Sequence, residues 1–231
     1  VRNSTVNIPF PTDTISDGIS YNLLSFDFGM AFNIINYNHI VKFGWTLSKY
    51  DYNLDAFSIP VTGISIRSTN ETYFKASDFS LSYNYESMYP SKNSDINPIG
   101  RKFDIRYDYE ISKINPSIEV NDNGTVTTNY ETNRLNKLYG VFSQGIGLFN
   151  NKHSLTLKLT GATIFGPPVE SFYDFYATGL PGMKGYPFYS LGGGRVAVAN
   201  LTYRLPLFTH IDTRLSPLYL DKLYFSLYGD Y

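Results

Sequence analysis

Any chemistry in this 231-residue chain has to come from scattered carboxylates, three histidines and one conspicuous lysine. Lys184 stands in Met183-Lys184-Gly185-Tyr186, within the glycine- and aromatic-rich stretch from Thr178 to Arg195. Its ammonium is a point charge that a facing carboxylate can pair. The segment Lys102 to Ile111 alternates, with Lys102, Asp104, Arg106, Asp108 and Glu110 on one side, so Asp104, Asp108 and Glu110 are candidate partners; Asp230 is a fourth. Gly185 is expected to permit a close backbone approach. Tyr186 and Phe188 would pack on aromatics such as Tyr224 or Tyr228, or else decorate an external loop.

Bond-making chemistry finds no comparable support. His39, His153 and His210 each fall at a turn, apart from one another and without carboxylates at ligand spacing, so they read as surface histidines and not as metal ligands or bases. The chain has no cysteine, hence no thiol nucleophile, thiolate ligand or disulfide. It contains no Gly-x-Ser-x-Gly elbow, no P-loop and no His-Glu-x-x-His. No helical pattern follows Gly192-Gly193-Gly194 to complete a phosphate cradle. Charges of mixed sign along 102–110 suit a ladder of ion pairs better than an acid–base pair. Asn-x-Ser/Thr matches at Asn3, Asn70, Asn123 and Asn200 are short enough to arise by chance. The expectation is a protein that is not an enzyme, with no metal and no cofactor.

The elements that must position Lys184 and the carboxylates are β-strands. Around the loop, Leu155, Leu157 and Leu159 alternate with Ser154, Thr156 and Lys158, and Ala197, Ala199, Leu201 and Tyr203 alternate with Val198, Asn200 and Thr202. A period of two puts successive side chains on opposite faces of a strand. Other segments carry a charge-free side: Leu24, Phe26, Phe28, Met30, Phe32 and Ile34; Val41, Phe43, Trp45 and Leu47; Phe79, Leu81, Tyr83 and Tyr85; Phe103, Ile105, Tyr107, Tyr109 and Ile111. A soluble sandwich would turn the polar side to bulk water. A transmembrane barrel turns it to an aqueous lumen and the apolar side to lipid, and the length of the charge-free sides favours this second reading.

Eight strands are expected at about 21–35, 39–50, 73–89, 101–114, 135–150, 152–165, 194–208 and 221–231, each near or above the ~9–11 residues that cross a bilayer when tilted. Residues 1–20 show no clear period and read as a lead-in, leaving 21–231 as barrel. Turns at 36–38 and 150–152 are tight, 51–72, 115–134 and 166–193 are long, and 90–100 and 209–220 are intermediate. Short or intermediate connections alternate with long ones, as in outer-membrane barrels with short periplasmic turns and long external loops. The segment 55–68, where Ile64 and Ile66 alternate, reads as the top of a projecting hairpin. With 19 Lys+Arg against 20 Asp+Glu, no basic footprint for nucleic acid exists. Aromatic residues make up 17% of the chain, enough to furnish belts at both membrane interfaces.

Met183-Lys184-Gly185-Tyr186, the glycines 192–194 and the strand Val196 to Leu207 resemble the bacterial surface antigen family, the BamA-like and two-partner-secretion superfamily of outer-membrane barrels. The wording around Pro181 to Ser190 is most similar to barrel domains that follow TolB-like propellers. The resemblance implies a barrel of about sixteen strands, within the range of such proteins, of which this chain would be a part, with loop 166–193 folded inward as a plug. It also implies a bacterial outer-membrane location and a role in inserting or transporting proteins or other polymers. The alternative is a structural anchor for a periplasmic propeller or a larger envelope complex. Implied partners are outer-membrane lipid, further strands from additional sequence or another chain, and envelope-complex proteins. The family carries Arg where this chain has Lys184, so a planar fork is replaced by a point charge.

Overall fold

The computed structural model describes residues 2–9, 14–58, 65–89, 96–115, 119–120, 126–179 and 183–231, and there the protein is all-β apart from one short 3-10 turn. Nine strands form the main sheet: β1 (Arg2–Pro9), β2 (Thr14–Asn33), β3 (His39–Leu54), β4 (Thr69–Met88), β5 (Gly100–Ile114), β6 (Glu131–Leu148), β7 (His153–Phe165), β8 (Arg195–Phe208) and β9 (Leu223–Asp230). Each strand neighbours the next in sequence, so the sheet is a meander with β1 and β9 at its edges. Among the described residues it does not close, and β2 and β9 are not neighbours. β2 to β9 fall on the eight expected strands, but β2 starts at Thr14, so the segment 1–20 expected as a lead-in is largely strand. The ninth, β1, lies where the sequence shows no clear period, and pairs from Arg2 opposite Tyr21 to Pro9 opposite Thr14.

The connections carry their own turn chemistry. Asn36 holds the first short turn, its carbonyl accepting from the His39 amide at 3.1 Å and its Oδ1 from the Asn38 amide at 2.9 Å. Phe149, Asn150 and Asn151 all have positive φ in the second, where asparagine is the side chain best suited to that region. Within the longer connections lie two-stranded ladders: Phe57–Ser58 with Ser65–Ile66, Glu119–Val120 with Val126–Thr127, and Thr213–Leu215 with Leu218–Leu220. None joins the main sheet, as expected for 55–68; residues 59–64 lie outside the described ones.

Two compact units are built on these strands. One comprises 1–29, 44–80 and 108–135. Its core is Tyr52, Phe74, Ala76, Ile114 and Leu135, all buried, with the Tyr50 and Phe74 rings edge to face at 5.7 Å. The Tyr130 hydroxyl donates to the Thr72 carbonyl at 2.7 Å, and burial pushes its phenol pKa up. Leu24, Phe26, Phe28, Trp45, Leu47, Phe79 and Ile111 are exposed, with Trp45 stacked on Phe79 at 6.1 Å. On the polar side, Thr46 donates to Asp27 at 2.7 Å.

The other unit comprises 30–43, 81–107 and 136–231. Its register is continuous from β6 to β9. Ser143, Lys158, Asn200 and Asp230 form one cross-strand row, and Gly145, Thr156, Thr202 and Tyr228 another. The intervening row is Gln144, Leu157, Leu201 and Gly229, followed by Ile146, Leu155, Tyr203 and Leu227. One face is therefore polar and the other mostly apolar. The register of β8 and β9 shifts between Pro206 and Phe208, where proline offers no ladder N–H and the extra Leu207 is bulged.

Gly145 is buried, and a Cβ there would lie 2.2 Å from the Pro98 carbonyl oxygen, whereas a Cβ on Gly44 meets only the Ser80 hydroxyl, a rotatable side-chain end. Gly145→Ala is expected to destabilise by about 1–3 kcal/mol through overpacking, and Gly44→Ala by much less. Equilibrium urea unfolding of the two variants checks the order.

Candidate functional site

The loop 166–193 is built upward from a stem. Phe175–Tyr176 pairs with Gly192–Gly193, and the Ala177 amide donates to the Leu191 carbonyl at 2.9 Å. Above this, the Met183 amide donates to the Ala177 carbonyl at 2.8 Å and the Gly179 amide to the Met183 carbonyl at 3.2 Å. Buried Thr178 accepts the Ser190 amide on its hydroxyl at 3.1 Å. Two glycines lie under rings: Gly179, whose φ of +96° already favours glycine, against Phe188, and Gly192, where a Cβ would meet Tyr176 at 2.6 Å. Leu180 to Gly182 lie outside the described residues.

Three contacts set this loop against the polar face of the sheet. The Lys137 ammonium, on β6, lies 5.3 Å over the ring of Tyr173 in the 3-10 turn Ser171–Tyr173. At the tip, the backbone N–H of Lys184 donates to Asp230 Oδ2 at 2.7 Å, while its ammonium sits 4.5 Å over the Tyr228 ring. Asp230 is held from behind by the Asn200 side-chain amide, which donates to Oδ1 at 2.7 Å. Of the four candidate partners, Asp230 is therefore the one that meets Lys184, through the main chain; the side-chain charge is answered by an aromatic face.

The other three lie elsewhere. Asp104 accepts from the Asn84 amide, and its neighbour Lys102 pairs with Glu86 at 2.8 Å, so these charges on β5 engage β4. Asp108 and buried Glu110 belong to the first unit. The expected reason for Gly185 also changes. Nothing lies within 4 Å of a Cβ built there, but its φ of +93° is one that side-chain-bearing residues rarely adopt, so glycine serves conformation and not close approach. Phe188 packs within the loop, on Gly179 and 6.3 Å from the Tyr189 ring; Tyr186 is exposed.

Two histidines have partners that spacing did not reveal. His39 Nδ1 lies 2.7 Å from the Tyr83 hydroxyl, and His153 Nδ1 lies 2.6 Å from the Tyr203 hydroxyl. Both are partly buried at strand starts, while His210 is exposed. Among the described residues no group of three or more His, Cys, Asp or Glu is placed to hold a metal. No known family model matches the chain, and no curated protein is significantly similar to it.

Loop anchoring follows a definite order. A charged acceptor on a backbone amide outweighs an exposed cation–π contact, on the order of 1 kcal/mol or more against about 0.5. Asp230→Ala should raise amide hydrogen exchange across 177–191 about fivefold, and Lys184→Ala about twofold. Mass-spectrometric exchange of the intact protein measures both.

Proposed function

We propose that the sheet is membrane wall in a bacterial outer-membrane β-barrel, that loop 166–193 lies on its lumen side as a plug, and that the protein acts in inserting or transporting proteins or other polymers across the outer membrane. One observation carries the membrane reading. The charge-free side expected from sequence is exposed strand after strand, at Phe26, Phe28, Phe43, Trp45 and Leu157, with Phe103, Ile105 and Leu155 half-buried beside them. An exposed apolar face of this extent is stable against hydrocarbon and aggregation-prone in water.

The alternation of short and long connections supports the same reading. In lipid, unpaired N–H and C=O groups at the edges would cost several kcal/mol each. β1 and β9 therefore need further strands, from additional sequence or another chain, to complete the wall. The likeness of residues 178–208 to the bacterial surface antigen family supports the assembly or translocation role. A docking barrel that anchors a periplasmic complex is the second reading, favoured by the several contacts that fasten the loop.

Three measurements test these proposals. The protein should require detergent or lipid to remain dispersed, and Ile105→Arg should cost about 2–4 kcal/mol in a lipid-supported unfolding assay if the site lies near the midplane; a soluble, detergent-free monomer overturns the membrane reading. In planar bilayers the wild type should be closed and Asp230→Ala should raise conductance several-fold. A wild-type pore that is open throughout overturns the plug.

A further inference from the structure

The apolar face of the first unit carries a groove of about 470 Å³, lined by Leu24, Phe26, Leu47 and Ile111. Lys49, Lys75 and Lys113 line it as well, one from each of the adjacent strands β3, β4 and β5. Their placement is systematic. β3 and β5 run toward long connections and β4 starts from one, and along the alternate residues of the apolar face the lysine is the first charged one met: Leu47 then Lys49, Ile111 then Lys113, and Phe79, Ser77 then Lys75. Measured from the opposite strand ends at His39, Met88 and Gly100, each lysine lies about one bilayer crossing away, ~9–11 residues or slightly more.

Among the described residues these charges are not fully neutralised. Lys49 pairs with Asp51 at 2.8 Å, and Asp51 also accepts from Thr72 at 2.8 Å. Lys75 and Lys113 are exposed and make no ion pair with a described residue. Among the described residues, three ammonium groups against one carboxylate thus gather at the end of an apolar groove. Adjacent strands lie about 4.8 Å apart, so the outer two lysines are spread over roughly 10 Å. That span suits a multiply charged head group better than a single carboxylate.

We infer that this groove is a binding site for a phosphorylated membrane lipid, with an acyl chain along Leu24, Phe26, Leu47 and Ile111 and the phosphate on Lys75 and Lys113, Lys49 contributing from its pair with Asp51. A phosphomonoester carries between one and two negative charges near neutral pH, which complements the lysines, and the apolar groove complements the chain. The inference rests on the membrane reading of this face.

The test uses the protein in detergent micelles with equimolar dimyristoyl phosphatidic acid and dimyristoyl phosphatidylcholine, read by native mass spectrometry. The phosphatidic acid adduct should be retained about tenfold more than its zwitterionic counterpart, on the scale of one or two basic residues near a head group. Lys75→Gln with Lys113→Gln should erase the preference. Asp51→Asn, which frees Lys49, should enhance it. Millimolar inorganic phosphate should not displace the lipid, because the chain supplies part of the hold. Equal retention of the two lipids, persistence of the preference in the double variant, or displacement by inorganic phosphate overturns the site. Flotation with dimyristoyl phosphatidylcholine vesicles separates the two levels: a protein that floats but shows no preference loses only the lipid site, and one that does not float loses the membrane reading with it.

Discussion

The constraint on which this structure depends is the parity of its strands in register. From β6 to β9 the rows alternate, Ser143-Lys158-Asn200-Asp230 against Gln144-Leu157-Leu201-Gly229. Because side chains repeat every two residues, a slip of one place on any strand would carry its charges to the apolar face and its leucines to the polar one. A charged residue among exposed leucines and a buried leucine in place of Ser154 would both be penalised. The apolar surface, the docked loop and the lysine-edged groove are three consequences of the same parity.

The short-connection ends of the strands show how that parity is held where pairing begins. His39 reaches Tyr83 across β3 and β4, and His153 reaches Tyr203 across β7 and β8, each bond joining a turn-proximal histidine to a tyrosine on the next strand. His153 also meets Phe149 edge to face at 4.9 Å, and His39 lies 4.7 Å from Tyr85. The same device occurs in two hairpins with different turn sequences, which points to the position and not to the turn. Amphipathic rings with a satisfied polar tip are well suited to a boundary between water and an apolar layer.

Much of this was legible in the sequence because a period of two is a local signal. Eight strands and the side each residue takes could be read from alternation alone. β1 could not, since Arg2 to Pro9 mixes polar, charged and β-branched residues without a consistent face. The pairing of Lys184 was less legible for a different reason. Asp104, Asp108, Glu110 and Asp230 all have the right parity, and only the fold decides which of them lies under a loop contributed by a distant part of the chain. Tyr228 was in principle accessible, being two residues from Asp230 and thus on the same face. The histidine–tyrosine bonds needed cross-strand register, which no single segment contains.

The division of labour at Lys184 shows how a lysine can do here what a single arginine side chain would otherwise combine. A guanidinium can fork onto a carboxylate and stack on a ring with one side chain, whereas an ammonium offers a single point charge. Here the two tasks are split: the main-chain N–H of Lys184 engages Asp230 and the ammonium covers Tyr228. The anion is then satisfied whatever the side chain, provided the backbone presents its N–H toward β9. That presentation is held by the Met183 carbonyl of the same peptide group, which accepts from the Gly179 amide at 3.2 Å, and the chain leaves it through a turn in which Gly185 has a φ of +93°. Docking of the tip is therefore a property of backbone conformation first and of the lysine charge second, and the glycine beside the lysine is the more restrictive of the two positions.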